Sequence, residues 1–307
     1  MQSADVRAPG RLAAPDVDEV DLVPVRTYWQ LVRMRFVRHR LAVIALVTLA
    51  ILIVLSVVVP LLTGKAWIES SIPRINGLPS LAAPLGYNEI GQNTFPRLMK
   101  ATQTTLLIGF AAVLIIASIG TFIGAVAGYF GGWVDNLLMR FVDIILSLPF
   151  LFLILLIVSF FGFRDVRVIV IALGIVGWTT AARLVRAEFL SIRETDYAQA
   201  ARALGVGHRR LIVRHLLPGA LAPLVVASAL GVADSVITES ALSVLGFGIA
   251  PPEVSLGQML GNFKEYFFAN PERIFYPGVT LVIIVLCASF LGDGLRDALD
   301  PRQKVDG

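Results

Sequence analysis

The sequence predicts an all-α integral membrane protein with six transmembrane helices, and three observations support this fold class. Of its 307 residues, 56% are hydrophobic and 16% are charged, and the mean hydropathy is +0.78. An average soluble domain has about 25% charged residues, so a water-soluble fold could not cover this much apolar surface. Six apolar runs are each long enough to cross about 30 Å of hydrocarbon. Lipid is therefore the solvent that suits this composition.

The chain begins with a polar tail, residues 1–40, that ends in a cluster of Arg and His residues. Residues 1–26 are rich in Asp, Pro and Arg, a composition typical of a loosely held segment. The first apolar run, 41–63, lies too deep in the chain and is too long for a cleaved signal peptide, and no small-residue cleavage site follows it. We interpret it as a retained first transmembrane helix.

Five further apolar runs lie at roughly 104–128, 137–160, 166–187, 220–245 and 277–295. Residues 64–103, between the first two runs, are rich in the turn formers Pro, Gly and Asn and are predicted to form an extracytoplasmic loop. The five runs and their connections, 104–295, are predicted to form the core of the protein.

Six spans place both termini on one side of the membrane, and the basic residues indicate which side. With the N-terminus inside, 18 of the 26 Lys and Arg residues fall in inner segments and 8 in outer segments. Because Lys and Arg accumulate in cytoplasmic segments, both termini are predicted to be cytoplasmic, including the last segment, 296–307. The net charge of +4 reflects this placement, and nucleic-acid binding is not predicted.

The second and third spans carry packing and bending signals. Gly120, Gly124 and Gly128 recur at four-residue intervals, which lets another helix backbone approach closely. The spacing leaves open whether that helix belongs to this chain or to another. Pro149 is predicted to bend or unwind the third span. Asp143 lies three residues after Arg140, and an ion pair between them is expected.

The connection between the fourth and fifth spans, 188–219, is predicted to be cytoplasmic and to contain a short helix. Asp196 can cap the helix start with Gln199 three residues later, as in a capping box, and Gly205 can end it. A second helical stretch, 207–217, is expected to end at Pro218. The short helix comprises Asp196, Tyr197, Ala198, Gln199, Ala200, Ala201, Arg202, Ala203, Leu204 and Gly205.

Such a helix is marginal alone in water, so either a partner receives it or the segment is a solvated basic loop that only sets orientation. Under the first interpretation the docking face consists of the small and apolar positions Ala200, Ala201, Leu204 and Gly205.

The fifth span is the most polar of the six, and ionisable residues within spans are candidates for function because a charge in hydrocarbon is costly. Asp234, Ser235, Thr238 and Glu239 are predicted to line the transport pathway. For Glu239 a hinge or a helix-packing contact is the alternative.

The segment 246–276 is predicted to be extracytoplasmic. Within it, residues 256–268 have apolar side chains at helical spacing, which indicates an amphipathic helix. The helix would lie on the outer membrane surface or against the pore mouth, or it would pack against a neighbouring outer loop. Its apolar positions are Leu256, Met259, Leu260, Phe263 and Phe267.

Signals for chemistry within this chain are absent from the sequence. The P-loop pattern G-x-x-x-x-G-K-[ST] does not occur, so ATP binding through a P-loop is not expected. His39, His208 and His215 lie in basic segments without metal-ligand spacing, and no metal site or bound cofactor is predicted. Cys287 is the single cysteine, so no intrachain disulfide can form. The chain is not predicted to be an enzyme.

Two other function classes fit the sequence less well. An ion-coupled secondary transporter would explain Asp143, Asp234 and Glu239 as ion sites, but it would leave the short capped helix unexplained, and the six spans show no evident internal repeat. A membrane-bound enzyme lacks support, because the spans contain no His cluster and no Ser-His arrangement.

The loop after the fourth span resembles the cytoplasmic loop of ABC-importer permeases, whose pattern is E-A-A, three residues, Gly, nine residues, I-x-L-P. Gln199 replaces the Glu of that pattern and His215 replaces the Ile. The matching positions are Gln199, Ala200, Ala201, Gly205, His215, Leu217 and Pro218.

Other segments resemble the peptide-importer branch of these permeases. They are RHRLAVIA at 38–45, a degraded loop motif at 84–93, ESALSVLGFG at 239–248 followed by Pro251–Pro252, and LGDGLRDALDPR at 291–302. The chain thus resembles the C-type permease subunit of dipeptide, oligopeptide and nickel ABC importers.

This resemblance implies the type I permease fold of ABC importers in a bacterial inner (plasma) membrane. It implies a second, B-type permease subunit, an extracytoplasmic substrate-binding protein and two ABC ATPases, separate or fused, which would bind the ATP-Mg and receive the short helix. The implied cargo is a peptide, with nickel chelates or glutathione as alternatives.

Overall fold

The protein is described here by a computed structural model that covers residues 27–162, 164–261, 268 and 270–300. The predicted tail 1–26, the C-terminal residues 301–307 and the positions Phe263 and Phe267 lie outside the described residues. The described part of the chain contains α-helices, two short 3-10 turns and isolated bridges, and no β-strand.

The helices are numbered in chain order. They are α1 Tyr28–Arg38, α2 Arg40–Thr63, α3 Thr94–Phe130, α4 Gly132–Ser147, α5 Phe150–Phe161, α6 Val166–Arg193, α7 Asp196–Ala203, α8 His208–Leu211, α9 Leu217–Val244, α10 Leu256–Leu260 and α11 Glu272–Leu299.

Among the described residues, five helical stretches are long and apolar enough to cross a membrane, and the bent pair α4–α5 makes a sixth if it is one span. The two helices of that pair meet at an angle of 86°, and Pro149 is the residue that caps α5. The predicted bend at Pro149 is therefore confirmed. A proline removes a backbone N–H and its ring clashes with the preceding turn, so a helix rarely continues through it unbroken.

Helix α3 begins at Thr94, well before the predicted start near residue 104. The side chain of Asn93 accepts a hydrogen bond from Phe95 N at 3.2 Å and so caps the helix. The predicted loop 64–103 therefore shortens to 64–93, and the first part of α3 extends beyond the apolar run.

The glycine face of α3 packs against α6 of the same chain. A Cβ atom placed on Gly120 would lie 2.5 Å from Ala181 Cβ, and one on Gly128 would lie 2.6 Å from Phe189 Cβ; Gly124 faces Ala182 O equally closely. The sequence predicted close packing at these three glycines without identifying the second helix. The structure identifies α6.

The remaining spans surround this pair. Helices α2, α3, α9 and α11 share one apolar cluster that includes Ala45, Leu98, Val236 and Ile284. Helix α5 packs on α6 through Ile154 and its neighbours in a second cluster. Large apolar side chains are exposed along the outward faces of α2 to α6, as expected for helices that contact lipid or another subunit.

The prediction that Pro218 ends a helix is wrong. Residues His208–Val244 form one helical span, in which Pro218 lies within the first turn of α9 and a π-helical turn, Ile212–Leu216, precedes it. A π-turn is one of the ways in which a helix absorbs a local disruption of its hydrogen-bond ladder. The loop is thus joined to the fifth span without a break.

Of the amphipathic helix predicted for residues 256–268, the described residues show α10, Leu256–Leu260, and a helical position at Phe268. Leu256 is fully buried, and α10 packs against α9 and α11. The start of α10 therefore lies inside the protein rather than on the membrane surface.

Candidate functional site

Helix α7 is present, but its first turn differs from the prediction. Its N-cap is Thr195, not Asp196, and Asp196 is the first helical residue. The Gln199 side chain donates to Glu194 O at 3.1 Å, so the predicted Asp196–Gln199 capping box is wrong. The carboxylate of Asp196 still lies in the first turn, where the helix dipole favours a negative charge.

The predicted stop at Gly205 is confirmed. Gly205 has a φ of +77°, and its N–H donates to Arg202 O at 2.9 Å, while Val206 N donates to Ala201 O at 3.2 Å. These two bonds form a Schellman motif, which needs a residue in the left-handed conformation and so favours glycine.

Side chains from three elements hold α7 against the ends of the spans. Ala198 lies on the buried face of α7. The Arg202 guanidinium lies over the Tyr129 ring at 5.5 Å from its centroid, and the Tyr129 hydroxyl lies 2.5 Å from His208 Nδ1. The Tyr197 hydroxyl donates to His215 O at 3.2 Å. The short helix is therefore tied to the end of α3 and to the start of the fifth span.

One residue of the predicted docking face is not available to a partner. Ala201 is buried with Val185 and Phe189 of α6 in an apolar cluster. Ala200 and Gly205 are exposed, and Leu204 is 85% exposed. The accessible face therefore consists of Ala200, Leu204 and Gly205, with Ala201 corrected to a residue that holds α7 in place.

Two ion pairs link the bent pair α4–α5 to α6. The carboxylate of Asp135 in α4 accepts hydrogen bonds from both Nε and Nη2 of Arg186, the latter at 2.6 Å. Asp143 pairs with Arg183 at 2.5 Å. The predicted Asp143–Arg140 pair is therefore wrong, since the carboxylate reaches the neighbouring helix instead. Both observed partners are distant in sequence, and no pattern in the sequence indicated them.

A cavity of ≈ 460 Å³ lies between α3, α6 and α9. Asp234, Ser235 and Thr238, three of the four predicted pathway residues, line it. Asp234 is the one charged residue among the described residues of its lining, and the Thr238 hydroxyl donates to Asp234 O within the helix at 2.7 Å. The described residues contain no group of three or more His, Cys, Asp or Glu side chains that could hold a metal ion.

Glu239 does not line this cavity, so its assignment as a pathway residue is corrected. The side chain is 0% exposed. One carboxyl oxygen, Oε1, accepts hydrogen bonds from Ser243 Oγ at 2.8 Å and from Ser255 Oγ at 2.6 Å. Glu239 thus joins α9 to the residue before α10, which agrees with the packing alternative that its sequence position left open.

Comparison with protein families identifies two matches in this chain. Residues 120–305 match the model of the binding-protein-dependent transport system inner membrane component. Residues 27–79 match the N-terminal TM domain of oligopeptide transport permease C. The two matches together include most of the described spans.

Similar proteins cover nearly the whole chain. The oligopeptide transport system permease protein OppC of Mycobacterium tuberculosis (strain H37Rv) is 37% identical over 275 residues, which are 89% of this chain and 94% of that protein. The dipeptide transport system permease protein DppC of Alkalihalophilus pseudofirmus is 34% identical over 277 residues, which are 90% of each.

The fold also matches a solved structure of the MetNI methionine ABC transporter in inward facing conformations. The TM-score is 0.56 and the sequence identity 23%, over 66% of this chain and 96% of that chain. At this identity the likeness concerns the helical fold alone.

Proposed function

The chain belongs to the family of binding-protein-dependent transport system inner membrane components, as an ABC-importer permease of the inner membrane, and from this premise we propose that it carries peptides. The observation that carries the proposal is the identity of 37% and 34% to permeases named for oligopeptide and dipeptide transport, each across about 90% of the chain. The proposed role is the C-type subunit, which forms half of the pathway through which a peptide passes.

The proposed ATPase-docking element is α7. Its exposed face presents Ala200 and Leu204 next to the exposed Gly205, and an apolar side chain left in water suits a partner that covers it. Because Arg202 of α7 lies over the Tyr129 ring and Tyr197 of α7 bonds His215, a movement of a docked ATPase would pass into α3 and into the fifth span. The positive-inside rule supports a cytoplasmic position for this end and for both termini.

The proposed complex contains a B-type permease subunit, two ABC ATPases and an extracytoplasmic substrate-binding protein. ATP-Mg would be bound by the ATPases, since this chain has no P-loop sequence. ATP at one end and the loaded binding protein at the other would then bias the same conformational equilibrium.

The carboxyl groups also weaken the case for an ion-coupled transporter. Asp143 is paired with Arg183, and Glu239 is buried in hydrogen bonds to serine hydroxyls. Of the three candidate ion sites, only Asp234 lines the cavity.

The docking proposal is tested with Leu204→Glu in the complex of permeases, ATPases and binding protein. Leu204 is 85% exposed, so the substitution should leave folding intact while it places a charge in the proposed interface. We expect loss of ATPase co-purification and of ATP-driven peptide uptake. The matched control is Leu78→Glu, at a residue 84% exposed in the loop 64–93.

The control should keep the ATPases bound, because Leu78 lies outside the proposed interface. Normal co-purification and normal uptake in Leu204→Glu would contradict the docking role. Cargo is tested by ATPase stimulation with the binding protein carrying a dipeptide, an oligopeptide, glutathione or a nickel chelate. If only the binding protein that carries the nickel chelate stimulates the ATPase, the cargo is a nickel chelate and the peptide assignment is wrong.

A further inference from the structure

The carboxyl group of Glu239 lies near the end of α9 that is distant from α7. It is fully buried, and it faces neither the cavity nor a basic side chain among its described hydrogen-bond partners. Burying a polar group costs free energy unless its hydrogen bonds are made. A leucine of similar size would fill the same space without that cost. The presence of a carboxyl group at this position is therefore explained by the hydrogen bonds that it makes, rather than by the space that it fills.

Those hydrogen bonds connect three elements at one point. Ser255 donates to Glu239 Oε1 at 2.6 Å and also caps α10, by accepting from Gln258 N at 3.0 Å. The next residue, Leu256, donates its backbone N–H to Thr105 Oγ1 of α3 at 3.0 Å. The start of α10 is therefore bonded to both α9 and α3. These bonds of Glu239, Ser255 and Leu256 are called the Glu239 joint below.

Close backbone packing reinforces this joint. A Cβ atom on Gly257 would lie 2.5 Å from Ser240 Cα of α9, so the backbone of α10 rests directly on that helix. Val254 and Leu256 on either side of Ser255 are fully buried. This contact brings the start of α10 against α9, and the hydrogen bonds of Glu239 then set the position of one helix relative to the other.

The other end of the same helical span belongs to the loop that carries α7. The span His208–Val244 has 37 residues and reaches about 55 Å at 1.5 Å per residue. Its first turns are anchored by the buried side chains of Leu211 and Leu216 and by the Tyr197–His215 bond. One continuous helix thus connects the proposed ATPase-docking element with the Glu239 joint.

We propose that Glu239 is a positioning residue that fastens α10 to the end of α9, so that motion of α7 is delivered to the opposite end of the pathway. This inference rests on the proposed function. Hydrogen bonds, unlike apolar contact, set one geometry for the joint, and Glu239 supplies the acceptor on which the hydroxyls of Ser243 and Ser255 converge.

The first test compares Glu239→Gln with Glu239→Leu in the reconstituted complex. The amide oxygen of Gln can accept both serine hydroxyls, whereas Leu fills the volume and accepts neither. We expect Glu239→Gln to resemble the wild-type complex. We expect Glu239→Leu to keep ATPase co-purification and basal ATPase activity but to lose stimulation by the loaded binding protein by about fivefold or more, the lower range of allosteric coupling.

Thr102→Val is the matched control, since Thr102 is also buried but donates to Leu98 O within its own helix at 2.8 Å. It should leave stimulation unchanged. Normal stimulation and uptake in Glu239→Leu would overturn the proposal, as would an equal loss in Thr102→Val.

A second test does not depend on the folding of Glu239→Leu. Both serine hydroxyls donate to the same carboxyl oxygen, at 2.8 and 2.6 Å, so the pair Ser243→Ala/Ser255→Ala removes both donors and leaves Glu239 in place. We expect this pair to keep ATPase co-purification and basal ATPase activity and to lose stimulation by the loaded binding protein. Normal stimulation in the pair, or a loss of basal activity together with stimulation, would overturn the proposal.

Failure of this inference is distinguishable from failure of the proposed function. If the wild-type complex shows no ATP-driven peptide uptake, the proposed function is wrong. If wild-type uptake is normal and the Glu239 variants behave like wild type, only the role of Glu239 is wrong.

Discussion

Three carboxyl groups within the spans differ in their partners, and burial decides how much each partner contributes. The side chain of Asp135 is 11% exposed and holds Arg186 in a two-bond arrangement. The Asp143 side chain is 51% exposed and makes one bond to Arg183. Glu239 is fully buried and accepts hydrogen bonds from serine hydroxyl groups instead of pairing with a cation. Removing one partner of an ion pair costs more when the remaining charge is buried, because water cannot then solvate it.

Removal of the Arg partner should therefore have unequal effects at the two aspartates. We expect Arg186→Met to lower the free energy of unfolding by about 1–3 kcal/mol, because Asp135 is left poorly solvated. Arg183→Met should lower it by less than about 1 kcal/mol. Denaturant titration of the purified chain in micelles measures both. Equal losses in the two variants would contradict the ranking by burial.

At the scale of the helix, α3 and α6 approach so closely because three glycines on one face leave room for a backbone. The neighbours of these glycines include the carbonyl oxygens of Trp178, Ala182 and Arg186 as well as side-chain carbons. Since membrane helices associate through close packing rather than through the hydrophobic effect, the pair is expected to be sensitive to a single added methyl group.

We expect Gly124→Ala to lower the free energy of unfolding by about 1–3 kcal/mol, as overpacking does in a tight core. Gly278→Ala is the matched control. It lies in helix α11, where the nearest atom to an added Cβ is Leu260 Cδ2 at 4.0 Å. There the higher helix propensity of Ala should leave stability unchanged or raise it by up to about 1 kcal/mol. Equal stability of the two variants in detergent would rule out the α3–α6 contact as described.

At the scale of the whole molecule, α9 serves two surfaces at once. One face, with Asp234 and Thr238, lines the cavity. The opposite side, with Val236, is buried among α3 and α11. Positions two residues apart on this helix therefore face different surroundings. If the cavity belongs to the pathway, Asp234 and Thr238 contact water, whereas Val236 is closed to solvent.

Single cysteines in a Cys287→Ala background should show this difference. We expect Asp234→Cys and Thr238→Cys in the assembled complex to react with a membrane-impermeant thiol reagent in at least one nucleotide state, at a rate at least about tenfold above that of Val236→Cys, a ratio that corresponds to about 1.4 kcal/mol. Protection of all three positions in every state would remove the cavity from the pathway.

Features that depend on neighbours along the chain could be predicted from the sequence. The number of apolar spans follows from length and hydropathy, the stop at Gly205 from the left-handed conformation, and the break at Pro149 from its missing N–H. The close-packing face of α3 also follows from the four-residue spacing of its glycines. Each signal acts within a few residues, so the sequence contains it in full.

Contacts between distant residues could not be predicted in this way. Arg183 rather than Arg140 pairs with Asp143, Ala201 lies on the buried face of α7, and Glu239 bonds Ser255 and does not line the cavity. The helix also continues through Pro218, because a π-turn before it absorbs the disruption. By itself, the sequence determined that this is a helical membrane protein of several spans, with a short helix that ends at Gly205 in the connection between two of them. Only the tertiary structure decided which polar groups meet and which face of each helix is free, since a side chain's partner depends on how separate helices pack and rotate against one another.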